Sequence, residues 1–112
     1  MSIVATEDDA VSHAKFLRDR AAEYGIPQYM IGSLVQYILI GRPVGSFLTA
    51  VLNNDLRAAV DRGDETNQPI IHKYIKYLHN HAPMGCWGSF DSTQQWISRG
   101  GLFPHRQPMV TD

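Results

Sequence analysis

Apolar residues recur at intervals of three and four along most of the chain, the spacing that places side chains on one face of an α-helix. The first such segment follows Thr6, a residue suited to cap a helix, and ends at Gly25. Its apolar face consists of Val11, Ala14, Leu17, Ala21 and Tyr24. The second segment covers residues 26–40, with Pro27 in its first turn and Gly41 as a left-handed C-terminal cap.

The same periodicity predicts a third helix over residues 46–62, with Ser46 as its N-cap. Its apolar face consists of Phe47, Leu48, Val51, Leu52, Leu56, Ala59 and Val60. A fourth helix is predicted over residues 69–81, where Pro69 fits the first turn. Its stripe consists of Ile71, Tyr74, Ile75 and Leu78.

A short fifth helix is capped by Ser89 or Asp91 and closed by the glycine pair at positions 100–101. No run of alternating apolar and polar residues is long enough to predict a β-strand. The sequence therefore predicts an all-α fold, a single compact domain of four to five helices over residues 1–102. An extended or disordered C-terminal tail is predicted over residues 103–112, which contain two prolines.

The second helix is apolar on more than one side. Ile31, Leu34, Val35, Ile38 and Leu39 form a wide stripe, and two more large apolar residues extend it. Such a helix either lies at the centre of the domain or contributes to a subunit interface. The excess favours a homo-oligomer.

Composition and charge narrow the class of protein. The chain has 112 residues, 44% of them hydrophobic, a net charge of −1 and one cysteine. A single cysteine excludes an intrachain disulfide, and the balanced charge does not favour nucleic acid as a partner. No segment is apolar enough to span a bilayer, and the acidic N-terminus is unlike a signal peptide. We therefore expect a cytoplasmic protein without a membrane partner.

Four potential metal ligands lie within fifteen positions, but their spacing does not suit one ion. They are His72, His79, His81 and Cys86. On a helix, His79 and His81 point about 200° apart, and His72 lies about 10 Å from His79. We therefore predict no metal site.

Cys86 lies just before a helix N-terminus, where a thiol can be activated, but a lone cysteine beside tryptophan is typical of a small buried hydrophobe. The sequence predicts no enzyme activity and no cofactor.

Two polar segments are candidate ligand-binding sites. Arg42, Gly45 and Ser46 precede a helix, where backbone N–H groups and a guanidinium can hold a phosphate, although a plain turn between helices has the same composition. Asn53 and Asn54 are poor residues for a helix interior. Their amides, with Arg57 nearby, either recognise polar edges of a ligand or partner, or serve the fold as caps and bridges.

Aromatic residues cluster in the C-terminal half. Tyr77 lies off the apolar stripe of its helix, and Trp87 lies in a glycine-containing loop. Both are predicted to be exposed and able to stack on a ring or base, whereas Tyr74 and Trp96 are predicted to be core residues.

Two stretches resemble a pattern in small accessory proteins of bacteriophages and prophages. They are PVGSFLTAVLNNDL at positions 43–56 and APMGCWGS at positions 82–89, followed by Trp96 and the glycine pair at 100–101. The resemblance covers residues 26–102. It implies a phage accessory gene product in the host cytoplasm, a class that often counteracts antiviral defence, and it implies no particular reaction.

These observations lead to a hypothesis of non-catalytic binding, most concretely the sequestration of a cyclic nucleotide or related signalling nucleotide by a helical oligomer. The ligand-binding residues would be Arg42, Gly45, Ser46, Asn53, Asn54, Arg57, Tyr77 and Trp87. The alternative is a protein-binding inhibitor of a host defence complex, which requires an exposed apolar patch with a charged rim. A small DNA-binding regulator using the turn at positions 41–45 is a third hypothesis.

Overall fold

Helices account for most of the chain, as the periodicity predicts. A computed structural model describes the backbone of residues 7–104 and the side chains of residues 9–104, and within these limits it contains six α-helices and no strand. The helices are α1 (Glu7–Glu23), α2 (Gln28–Ile40), α3 (Ser46–Leu52), α4 (Leu56–Arg62), α5 (Ile71–His81) and α6 (Phe90–Arg99). The predicted all-α class and single compact unit are confirmed, with one helix more than expected. The predicted cap Thr6 and tail residues 105–112 lie outside the described residues.

Helix α2 supplies much of the core. Its buried residues are Ile31, Leu34, Val35, Tyr37, Ile38 and Leu39. Only a narrow strip that includes Gly32, Ser33 and Gln36 faces solvent. Of the two expected explanations for its apolar character, a central position in the domain or a subunit interface, the structure shows the central position. Its apolar excess is buried within one chain, so this excess no longer argues for a subunit interface.

The C-terminal end of α2 is closed by groups from its own cap and from α6. Gly41 adopts the predicted left-handed conformation, with φ of 70°, and its N–H donates to the carbonyl oxygen of Tyr37. The indole Nε1 of Trp96 donates to the same oxygen at 2.9 Å and to that of Ile38 at 3.2 Å. The last carbonyls of a helix have no partner within it, so these bonds satisfy groups that would otherwise be buried unpaired.

The chain that follows α6 completes this closure. The N–H of Leu102 donates to Ile38 O at 3.0 Å, and the N–H of Phe103 donates to Leu39 O at 2.7 Å. Gly101, with φ of 78°, turns the backbone so that it passes directly against the end of α2. Phe103, which the sequence assigned to the tail, is therefore bound to the helical domain.

The prediction of one continuous helix over residues 46–62 is wrong, because this segment forms two helices, α3 and α4. Asn53 ends α3, and Asn54 has φ of 61°, a left-handed conformation that asparagine tolerates better than most residues. Asp55 then caps α4 by accepting a hydrogen bond from the backbone N–H of Ala58 at 3.1 Å. The N-cap of α3 is Gly45, and not Ser46 as predicted, and no side chain caps that end. The left-handed turn at Asn54 therefore separates α3 from α4.

Three tyrosines are fully buried, and each donates its hydroxyl proton to an interior acceptor. Tyr37 bonds the carbonyl oxygen of Cys86 at 2.6 Å, and Tyr77 bonds that of Leu17 at 3.0 Å. Tyr74 bonds the side-chain oxygen of Asn67 at 2.5 Å. Burial raises the phenol pKa of all three, because the charged form is poorly solvated inside the protein. These bonds join α5 to α1 and to the segment before α5, and α2 to the loop before α6.

Helix α6 begins and ends as the sequence predicts. Ser89 is its N-cap, and its hydroxyl oxygen accepts from the N–H of Ser92 at 3.0 Å. Gly100 ends it with φ of 87°. The expected core residues Tyr74 and Trp96 are 0% and 3% exposed, so both predictions are confirmed.

Candidate functional site

A concave surface lies between α4 and α5. A hollow of about 200 Å³ is floored by small and medium apolar residues from α3, α4 and α5. It is lined by Ala50, Val51, Asn54, Asp55, Leu56, Ala59, Ile71 and Ile75. A second, shallower hollow shares Leu56, Ile71 and Ile75 with the first and continues toward the start of α5. We call the two together the α4–α5 groove.

Two large apolar side chains of α4 stand beside this groove in solvent. Leu56 is 67% exposed and Val60 is 39% exposed. They lie four residues apart and therefore on the same face of the helix. Singly exposed apolar residues are common on protein surfaces, but these two border an apolar hollow and form a continuous patch with it. Such a patch favours an apolar occupant.

The break between α3 and α4 creates this exposure. In one continuous helix, Leu52 and Leu56 would be four positions apart and would share a face. Leu52 is 0% exposed, so Leu56 would then point toward the core. The left-handed turn at Asn54 redirects the chain, and Leu56 becomes the first residue of a new helix at the surface.

The segment between α4 and α5 is fixed by a network of hydrogen bonds, which sets the two walls of the groove. The Tyr29 hydroxyl donates to Asp64 Oδ2 at 2.7 Å, and the Asn67 N–H donates to Asp64 Oδ1 at 2.7 Å. The hydrogen bond from Tyr29, aided by backbone N–H groups, lowers the pKa of the Asp64 carboxyl. In the same segment, Gln68 Nε2 donates to Val60 O at 2.9 Å and ties the 3-10 turn (Gln68–Ile70) to α4.

The polar edges of the groove differ from each other. One end carries Asn54 and Asp55, and the Asp55 carboxylate is engaged as the cap of α4. The α5 side carries His72 and Lys76, both exposed. The groove therefore has an apolar floor and a basic edge along α5.

The structure places the predicted ligand-binding residues at separate locations. Arg42 is exposed and donates to the side-chain oxygen of Gln36 at 3.1 Å. Gly45 and Ser46 are exposed at the start of α3, and the Ser46 carbonyl oxygen accepts from the Arg62 guanidinium at 3.3 Å. At the turn predicted to bind phosphate, the Arg42 guanidinium and the Ser46 carbonyl oxygen thus each form a hydrogen bond within the chain.

The second predicted group is also dispersed. Asn54 lines the groove, and Arg57 is exposed on α4. Asn53 is half-buried, and its Oδ1 is buried without a hydrogen-bond partner. Trp87 is half-buried beside a different hollow, which is also lined by His79, Ala82, Pro83, Met84, Gly85 and Gly88. The amides and the tryptophan therefore do not line one pocket together.

The prediction that Tyr77 is exposed is wrong. Its side chain is fully buried, and its hydroxyl is bonded to Leu17 O. The helix carrying it packs against α1 as well as α3, so a residue off the main apolar stripe is buried by the second neighbour. Tyr77 cannot stack on a ligand in this conformation.

Cys86 is the small buried hydrophobe that its position beside Trp87 predicts. The thiol is 0% exposed, and burial raises its pKa to about 12. A thiol in this environment is a poor nucleophile at neutral pH.

The four potential metal ligands, three histidines and Cys86, lie in different environments. His72 and His79 are exposed, and His81 is half-buried against Tyr24. Among the described side chains, no three of the metal-binding types converge on one point.

The apolar periodicity predicts that Leu56 and Val60 lie on a buried helix face, so it does not reveal the groove. The local signal was present in the run Asn53–Asn54–Asp55, three residues that favour helix ends over helix interiors. The apolar periodicity continued across that run and concealed the break.

Comparisons with known proteins give no family for this chain. No family model matches the sequence, and no curated protein or solved structure matches it either. Among the described helices, none combines the length and apolar character needed to cross a bilayer. The site itself is therefore the basis for a proposal about function.

Proposed function

We propose that the protein acts by non-catalytic binding to another protein, and that the α4–α5 groove is the contact surface. The observation that carries this proposal is the exposed Leu56 and Val60 beside an apolar hollow of about 200 Å³. Binding surfaces are typically an apolar centre with a polar rim, and a hollow of this size accepts one large apolar side chain as an anchor.

A protein-binding inhibitor, the alternative to nucleotide sequestration, requires an exposed apolar patch with a charged rim. The α4–α5 groove supports this alternative, because it has an apolar floor and a basic edge. The nucleotide-sequestering hypothesis loses support, because Tyr77 is buried and the predicted phosphate and amide ligands do not line one pocket. An apolar floor also does not suit phosphates, which counts against duplex DNA as the occupant. Under the resemblance to phage accessory proteins, the partner would be a host protein, and the effect would be inhibition of a host complex.

The chain offers a matched pair of variants to test this proposal. Leu56 is the first residue of α4 and 67% exposed, and Phe90 is the first residue of α6 and 62% exposed. Each follows an N-cap, where an introduced carboxylate is favourable to the helix dipole. Leu56→Asp and Phe90→Asp therefore make the same chemical change at equivalent helical positions, inside and outside the groove.

The experiment compares the proteins retained by tagged wild type, Leu56→Asp and Phe90→Asp in quantitative affinity purification from candidate host cells. We expect a partner retained by wild type and by Phe90→Asp and reduced about tenfold or more with Leu56→Asp, as for a central anchor. Thermal melts of the three proteins check that all are folded. If no retained protein distinguishes Leu56→Asp from Phe90→Asp, the groove is not the contact surface.

A further inference from the structure

The wall of the groove formed by α5 carries positive charge without a partner. Helix α5 contains two lysines and three histidines and no acidic residue. Lys76 and His72 lie four positions apart on the edge of the groove. Throughout the described part of the chain, no carboxylate forms an ion pair with Lys76. The acidic residue at the groove, Asp55, lies at the other end and caps α4.

The shape of the groove favours a helical occupant over an extended one. Its α5 side runs from Ile71 to Lys76, which at 1.5 Å per residue is about 8 Å, or about one and a half helical turns, and the 3-10 turn (Gln68–Ile70) extends it. An extended segment can dock by adding to the edge of a sheet, but the described residues contain no strand that could receive it. A polyproline segment docks in a groove lined by aromatic residues, and no tyrosine, phenylalanine or tryptophan lines this groove. Two helical walls with an apolar floor instead suit the apolar face of a third helix.

We propose that the occupant of the α4–α5 groove is an amphipathic helix of a partner protein, with an apolar stripe flanked by acidic residues. An apolar side chain of this helix would fill the hollow beside Leu56, and a carboxylate would lie opposite Lys76. Complementary charge of this kind selects the partner and sets its orientation, while the apolar contact supplies most of the affinity. This inference rests on the proposed protein-binding function and adds the chemistry of the partner.

The test uses two fluorescein-labelled synthetic peptides of about 14 residues, or about four helical turns. Both have the same leucine stripe on an alanine background. One carries glutamate on both flanks of the stripe, and the other carries lysine at the same positions. Fluorescence anisotropy measures the affinity of each peptide for the full chain, and circular dichroism confirms that the two peptides are comparably helical.

A matched pair of charge reversals on α5 separates local from general electrostatics. Lys76 lines the groove, whereas the ammonium group of Lys73 lies beside Gly25 at the turn between α1 and α2. We expect the glutamate peptide to bind wild type and Lys73→Glu similarly, and to bind Lys76→Glu about tenfold more weakly. The lysine peptide should show the opposite preference, and raising the ionic strength should reduce both preferences.

Each other outcome overturns the inference. Equal effects of Lys76→Glu and Lys73→Glu would mean that the net charge of the protein, and not the groove, selects the peptide. If both peptides bind equally and Leu56→Asp abolishes both, the groove binds helices without selecting charge, and the protein-binding function stands. If neither peptide binds, an acidic helix is not the occupant, and the purification with Leu56→Asp and Phe90→Asp judges the function separately. If wild type self-associates in sedimentation and Leu56→Asp does not, the occupant is a second copy of the chain.

Discussion

The close approach of α2 and the segment after α6 predicts a large loss of stability for Gly101→Ala. A Cβ atom at position 101 would lie 2.5 Å from Gly41 N, 2.6 Å from Ile40 N and 2.7 Å from Ile40 C. Ordinary van der Waals contact begins near 3.4 Å, and all three neighbours are backbone atoms. The methyl group therefore cannot be accommodated by a side-chain rotation, and the two segments must move apart.

The expected magnitude follows from what that movement breaks. The φ of 78° at Gly101 costs an alanine about 1–2 kcal/mol. Separating the segments also stretches the hydrogen bonds from Leu102 N to Ile38 O and from Phe103 N to Leu39 O, each contributing about 1 kcal/mol. The total loss is about 3–4 kcal/mol, a large fraction of the about 5–15 kcal/mol that typically stabilises a domain.

Gly85→Ala is the control for backbone strain alone. Gly85 has a similar φ of 87°, but a Cβ atom there would meet nothing within 4 Å. Thermal unfolding followed by circular dichroism should show a Tm lowered by about 5 °C in Gly85→Ala and by about 10–15 °C in Gly101→Ala. Equal Tm values in the two variants would refute the reasoning, because the close backbone contact would then contribute nothing.

Two further predictions concern ionisable groups. The Cys86 thiol is buried with its pKa raised to about 12, so a thiol reagent at pH 8 should react with it only as fast as the protein unfolds; reaction at the rate of a free thiol would contradict this burial. The Asp64 carboxyl has a lowered pKa in the folded state, so its contribution to stability is present above its unfolded value of 3.8 and is lost as the pH falls below that value. Asp64→Asn should therefore lower the Tm at pH 7 and make the decline in Tm on acidification shallower, and an unchanged acid profile would show that the hydrogen bond from Tyr29 contributes nothing.

Local signals in the sequence predicted the helices and several of their ends correctly. The caps Gly41 and Ser89 could be predicted because each depends on a property of one residue. Glycine readily adopts the left-handed conformation, and the serine hydroxyl accepts a hydrogen bond from a backbone N–H group. The core positions Tyr74 and Trp96 followed from the spacing of apolar residues. Each of these features depends on residues within one or two turns of each other.

The features that the sequence missed depend on contacts between distant segments. Tyr77 is buried because α1 covers a second face of α5, and no local pattern reports on that neighbour. The break at Asn54 was hidden because the apolar spacing from Leu52 to Leu56 fits one helix as well as two. The groove is a product of that break, so it could not be predicted before the break was known.

The small size of α4 has a consequence for motion at the groove. The helix has seven residues, and Ala59 is the only one that is buried. An isolated helix of this length is not stable in water, so α4 persists through its cap and its contacts with α3 and with the 3-10 turn. Amide protons in this segment should therefore exchange with solvent faster than those of α2, through local opening that leaves the rest of the fold intact. A partner seated against Leu56 would suppress this opening, and part of its binding free energy would be used to order one wall of its own site.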